Sequence, residues 1–254
     1  MFLIKNFQNL FGLWITLLLA IAPTVSAETN IILDGVQTFA NDMTSIYKTD
    51  AKYTFISGAV GTAFLYGFFK REFIDSTQNS FQKYKPLGSY SKYGDDLGKM
   101  IPNALYLGGM YTTYFLSRNS IYKHRAHAMF RSTLSSGVFT QGLKHIVRQR
   151  RPNNSASRLS FPSGHTTTAF AFAGTVSLNH EWYWSIPAYG IATLVALSRI
   201  NDNAHYLHDV IGGAVIGISY SIGVDMIQKK SKSSVIFYPT FNDDAFGIAF
   251  EKNF

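Results

Sequence analysis

Three short stretches gather most of the side chains in this sequence that are equipped for chemistry: Lys144 to Pro152 (KHIVRQRRP), Ser160 to Thr166 (SFPSGHT) and Ser198 to Asp209 (SRINDNAHYLHD). In the third, His205 and Asp209 stand four residues apart. On a helix that spacing lets the carboxylate accept a hydrogen bond from one imidazole nitrogen and leaves the other nitrogen free to attack, the orienting logic of a nucleophilic dyad. His208 lies between them in sequence and is read as a structural histidine on another face.

In the second stretch, Pro162-Ser163-Gly164-His165 precedes an apolar helical run. A helix start offers unpaired backbone N–H groups and a positive dipole end, which together hold a phosphate. Gly164 permits close approach of the backbone and Ser163 adds a hydroxyl, with His165 beside the bound group. An ordinary Ser N-cap is the plainer reading of the tetrapeptide by itself.

In the first stretch, Lys144 and Arg151 are seven residues apart, about two helical turns, so a helix would set both on one face with Pro152 as its stop. Arg148, Arg150 and Arg151 could instead form a solvated basic patch or a nucleic-acid footprint. No nucleic-acid motif accompanies them, and no nucleic-acid partner is expected. A divalent metal is not expected either, because Lys144, Arg151 and Arg199 would repel it and the His/Asp spacing matches no zinc pattern.

The elements that must position these groups are helical. Apolar segments at 53–69, 101–116, 125–147, 163–178, 184–197 and 205–227 predict six helices, and the polar connection 70–99 carries turn signals at Pro86-Leu87-Gly88 and Tyr93-Gly94-Asp95. Residues 28–52 read as an amphipathic lead-in. From Val235 to Phe254 the period changes to two about Asn242-Asp243-Asp244, which predicts a C-terminal β-hairpin packed on a helical domain at 53–230.

Residues 1–27 have the make-up of a cleaved signal peptide: Lys5, an apolar run from Phe11 to Ile21, and the small residues Val25-Ser26-Ala27. An uncleaved anchor is the alternative. The 254 residues suit one domain, the formal charge of +8 favours anionic partners, and the absence of cysteine removes thiolate chemistry and disulfides. Mean hydropathy is low (+0.03) and the third predicted helix carries Arg131 and Gln141. The expectation is therefore an extracytoplasmic domain, soluble or touching the membrane peripherally, with an integral inner-membrane protein as the alternative.

Read in order, Lys144 with Arg151-Pro152, then Pro162-Ser163-Gly164-His165, then Ser198-Arg199 with His205 and Asp209, the three stretches resemble the motifs of the phosphatidic acid phosphatase type 2 and vanadium haloperoxidase superfamily. The resemblance implies an all-α, six-helix core in which Lys144, Arg151 and Arg199 clamp phosphoryl oxygens while Ser163 and the Gly164 amide complete the cradle. It implies that His205 attacks phosphorus to give a phosphohistidine. His165 would protonate the leaving alkoxide and then activate water, with Asp209 orienting His205. The implied substrate is a phosphorylated lipid or a small phosphate ester, hydrolysed without a cofactor. A vanadate-dependent haloperoxidase using the same anion pocket is the alternative reading, and a non-catalytic binding module a third.

Overall fold

A computed structural model of the chain describes residues 26–153, 155–230, 235–242 and 245–252. Among these residues there are ten α-helices. They are α1 (Ser26–Met43), α2 (Ser45–Lys48), α3 (Ala51–Phe69), α4 (Ser76–Tyr84), α5 (Ser91–Leu97), α6 (Ile101–Ser117), α7 (Ser120–Val147), α8 (Gly164–Asn179), α9 (Ser185–Asn201) and α10 (Leu207–Lys230). The signal-peptide reading of residues 1–27 lies outside the described residues except at Ser26 and Ala27, which open α1.

The chain is all-α, as expected, but with more helices than the six anticipated. The connection 70–99 is itself largely helical: a π-helical stretch at Lys70–Asp75 leads into α4, and α5 follows. The third predicted helix ends at Val147 as expected and the last one starts later than expected, and both bear on the chemistry. Helix α7 stops at Val147 because Arg148 adopts a left-handed conformation (φ 51°) and returns its N–H to the Lys144 carbonyl. Arg151 is therefore not helical, and the two-turn argument that paired it with Lys144 does not hold. Helix α9 runs on to Asn201, a turn containing left-handed Asn203 follows, and α10 begins only at Leu207. His205 thus stands in the turn before the helix, not on it.

Helices α8 and α10 form the central pair and lie very close. A Cβ added at Gly213 would sit 2.6 Å from the Ser163 carbonyl, and one at Gly217 would meet the backbone of Thr167 and Ala171. Only hydrogen fits there. Around this pair the interior is built from small residues: Ala169, Ala171, Ala173, Ala188 and Ala192 are buried, with Ser132, Ser135, Ser136, Thr140, Thr167 and Thr175. Their hydroxyls pair across helices, Ser132 with Thr175 at 2.8 Å and Thr140 with Thr167 at 3.0 Å. On the far side of α7, Arg131 makes a two-pronged bond with the buried carboxylate of Asp42 on α1, at 2.6 and 2.8 Å.

Ile46, Ile74, Met129, Ile200 and Tyr220 are buried, but many other large apolar side chains are outside. Phe68 (74% exposed), Leu105 (71%), Leu116 (83%), Ile146 (78%) and Trp182 (73%) lie on the outer surfaces of α3, α6 and α7 and ahead of α9. Among the described residues one helix, α10, is long and apolar enough to cross a membrane, and most of its apolar window is buried inside the protein, as in a core helix.

The C-terminal strands β1 (Val235–Asn242) and β2 (Ala245–Lys252) pair antiparallel, in register from Val235 opposite Lys252 to Asn242 opposite Ala245. The hairpin belongs to one compact unit with the residues of α1 up to Gln37, and the helices from Thr38 on make up the other.

Candidate active site

Backbone hydrogen bonds stitch the three chemistry-bearing stretches together. The Ser160 N–H donates to the Gln149 carbonyl (3.0 Å), the Ser163 N–H to the Asp209 carbonyl (2.9 Å), and the His205 N–H to the Arg199 carbonyl (3.2 Å). The first two join stretches 11 and 46 residues apart in the chain, and the third folds the Ser198–Asp209 stretch back on itself.

His205 is buried, with Nδ1 3.4 Å from Oδ2 of Asp209. The contact is longer than a well-formed hydrogen bond, as is common in an active site without substrate. Burial pushes the imidazole down to about 4 against the pull of Asp209, and Lys144 and Arg151 push the same way. At neutral pH the ring is uncharged, the form in which a nitrogen can attack.

Asp209 is fully buried. Its Oδ2 accepts hydrogen bonds from the Ser160 hydroxyl and from the Tyr206 N–H (3.0 Å), the latter closing a cap at the start of α10. Burial alone would raise this carboxyl, but contacts from His205 and His208 hold it well below the usual carboxylate range. It is an anion beneath the histidine.

Above it lie the cations. Lys144, in the last turn of α7, donates to the carbonyls of Leu159 (2.7 Å) and Ser160 (3.1 Å), leaving one of three N–H donors. Burial, reinforced by Arg151, pushes its ammonium down to about 8. Arg151 is half-buried, burial lowers it, and its field reaches both Asp209 and Arg199. Its Nε is buried without a hydrogen-bond partner, so a guanidinium donor remains for an anion. Arg199 donates to Ser198 through Nε, to Asp95 through one terminal nitrogen and to Asp202 through the other. Three of its five N–H groups are used in this way, and two remain.

Ser163 is fully buried at the start of α8, where its hydroxyl accepts from Thr166 Oγ1 at 3.0 Å, and Gly164 opens the helix. A Cβ at Gly164 would stand 3.9 Å from Lys144 Cε, so the lysine stem runs beside the helix start whose free N–H groups favour an anion. His165 follows, with Nε2 3.4 Å from Oδ1 of Asp95. Burial lowers this imidazole and Asp95 partly restores it.

Two members of the constellation were not legible as such. Asp95, on α5, bridges His165 and Arg199 and also pairs with Lys99 (2.7 Å). The His165 contact, with Lys99 and Arg199 opposing burial, holds it far below the ordinary range. The signal available was the Gly94-Asp95-Asp96-Leu97-Gly98 spacing, two glycines four apart: a Cβ at Gly94 would clash with Ser198 and one at Gly98 with His165. His208, read as structural, touches the other oxygen of the same carboxylate, with Nε2 3.0 Å from Asp209 Oδ1. Among the described residues no group of three or more His, Cys, Asp or Glu side chains is placed to hold a metal ion.

Residues 125–232, which contain every one of these motif side chains, match the family model described as the PAP2 superfamily. This part of the chain is a PAP2 superfamily domain. Among curated proteins, the chain is 39% identical to a lipid A 1-phosphatase of Porphyromonas gingivalis over 34% of its own length and 19% of that protein. It is 29% identical to lipid phosphate phosphatase 2 of Arabidopsis thaliana, over 42% of this chain and 52% of the other. The chain thus spans about a fifth and about half the length of these two relatives. Its fold is similar to that of a transmembrane PAP2 type phosphatidylglycerolphosphate phosphatase from Bacillus subtilis, with a TM-score of 0.58 at 19% identity, covering 72% of this chain and 97% of that one.

Proposed function

We propose that this PAP2 protein is a metal-independent phosphatase acting on a phosphate ester through a phosphohistidine at His205. The observation that carries the reading is a buried, neutral His205 backed by the Asp209 carboxylate, with Lys144 and Arg151 beside it and Arg199 next to Arg151. Phosphoryl transfer needs positioning and charge stabilisation above all, and guanidinium groups with spare donors supply both. In the first step a ring nitrogen of His205 bonds to phosphorus as the ester P–O bond breaks. The leaving oxygen takes a proton from His165. In the second step His165 accepts a proton from water, whose oxygen displaces His205 and releases phosphate.

A phosphorylated lipid is the proposed substrate class. The relatives' names support it, and so do the exposed large apolar side chains Phe68, Leu105, Leu116, Ile146 and Trp182. Large apolar surfaces of this kind mark contact with lipid or a partner. We place the protein against a membrane on the extracytoplasmic side, in keeping with the leader-like pattern of residues 1–27.

The test is phosphate release from p-nitrophenyl phosphate and from phosphatidic acid in mixed micelles, with EDTA present. The wild-type chain is expected to turn over, and His205→Ala to lose turnover while keeping its helical circular dichroism. Full activity in His205→Ala overturns the nucleophile. Halide oxidation by peroxide with added vanadate, and no phosphate release from wild type, would select the haloperoxidase reading.

A further inference from the structure

Asp209 meets two imidazoles, one on each oxygen: His205 Nδ1 at 3.4 Å from Oδ2 and His208 Nε2 at 3.0 Å from Oδ1. Only the first has a role in the reaction proposed above. His208 is buried (3% exposed), and its ring lies close to parallel with those of Phe161 and Tyr206, at 6.0 and 5.5 Å between centroids. Tyr66 from α3 packs on it at 4.7 Å. A carboxylate can only accept, so the nitrogen facing it carries the hydrogen. The Gln149 amide straddles that nitrogen, with Nε2 at 2.9 Å and Oε1 at 3.1 Å, and with the hydrogen on the ring nitrogen Oε1 is its second acceptor. Gln149 belongs to the same stretch as Arg151, and its carbonyl receives the Ser160 N–H.

We infer that His208 is a positioning residue for the nucleophile: held by Gln149 and its aromatic neighbours, it fixes the Asp209 carboxylate and limits how strongly that carboxylate draws on His205. The physical basis is competition. A carboxylate whose charge is already shared with the Ser160 hydroxyl, the Tyr206 N–H and His208 is a weaker acceptor for His205. Neither Oδ1 of Asp209 nor Nδ1 of His205 makes a straight hydrogen bond here, and both contacts have slack that substrate can take up. Removing the His208 donor leaves Asp209 more basic and so raises His205. The other ionisable groups facing this set are Lys144 and Arg151 beside His205, and Tyr66 and Asp75 beside Tyr206, none of which the substitutions alter.

The inference rests on His205 being the phosphoryl acceptor, and the experiment separates the two. The kcat/KM of purified full-length chain on p-nitrophenyl phosphate is measured from pH 3 to 9, as order-of-magnitude bounds set by where carboxylates, imidazoles and amines titrate, roughly 4 to 10, for wild type, His208→Phe and His208→Gln. Phenylalanine keeps an aromatic ring against Phe161 and Tyr206 but has no donor, whereas glutamine places an amide N–H near the position of Nε2. Substrate ionisation is common to all three. For His208→Phe the acid limb is expected to move up by about one pH unit, with kcat lower on the order of tenfold, the worth of one charge-assisted hydrogen bond. His208→Gln is expected to restore most of both. Should His208→Phe fail to fold, Gln149→Leu, which frees the ring without touching Asp209, is expected to move the limb the same way by less. An acid limb unchanged in the folded variants overturns the role of His208 while leaving the nucleophile intact. No turnover in wild type overturns the phosphatase reading itself.

Discussion

Oδ1 of Asp95 stands 3.4 Å from Nε2 of His165 while the same carboxylate receives a hydrogen bond from Arg199. One acid on a seven-residue helix thus ties the proposed proton donor to one arm of the anion clamp. Substituting Asp95→Asn keeps an acceptor but removes the charge that favours protonated His165. The expected result is a fall in kcat on the order of tenfold with a smaller change in KM, since the loss falls on proton transfer to the leaving oxygen. Steady-state kinetics on an activated ester, whose leaving group needs no proton, are expected to show a smaller loss than on an alkyl phosphate. Equal losses on both would place Asp95 outside the proton-transfer step.

The titration of the site sets a window for activity. His205, pushed down to about 4, must be neutral to attack, so kcat/KM is expected to fall as pH drops through about 4. Lys144, pushed down to about 8, must be charged to grip the anion, so kcat/KM on an activated ester, which needs no proton from His165, is expected to fall as pH rises through about 8, whereas on an alkyl phosphate the fall comes earlier, as His165, lowered by burial, loses its proton. Replacing Lys144 by Arg is expected to remove the upper limb, because a guanidinium stays charged there, while lowering the plateau through misfit. A pH–rate profile for the two proteins checks this directly.

Gly98 packs on the proposed proton donor: a Cβ there would lie 2.6 Å from His165 Cδ2 and 2.9 Å from Val195. Gly98→Ala is expected to displace His165, abolishing most turnover, and to destabilise by about 1–3 kcal/mol as an overpacked contact. Gly108→Ala, on the exposed side of α6 with nothing within 4 Å, is the control. It is expected to leave kinetics unchanged and to gain about 0.5–1 kcal/mol from helix propensity. Thermal melts and turnover of both variants decide the matter.

The candidate site was legible in the sequence where residue type and short spacing mark it. His205 with Asp209, and Pro162-Ser163-Gly164-His165 at a helix start, need only their neighbours to be recognised. The paths the backbone takes between them were less legible. The apolar pattern of 125–147 ends where α7 does, but Arg148 takes a left-handed conformation without the glycine that usually announces one, so nothing local barred setting Arg151 on a helix it does not occupy. The turn before α10 did have a signal, Asn201-Asp202-Asn203, that the helical spacing of His205 and Asp209 overshadowed. Asp95 acts across 70 residues, and no local pattern encodes a partner at that distance.

A crystal structure of the protein soaked with orthovanadate tests the anion site most directly. Vanadium is expected bonded to a ring nitrogen of His205, its oxygens within hydrogen-bond reach of Lys144, Arg151, Arg199 and the Gly164 N–H, and His165 facing it from the opposite side. Vanadate bound away from His205, or His165 turned toward a different cavity, would contradict the convergence of these residues on one phosphoryl group.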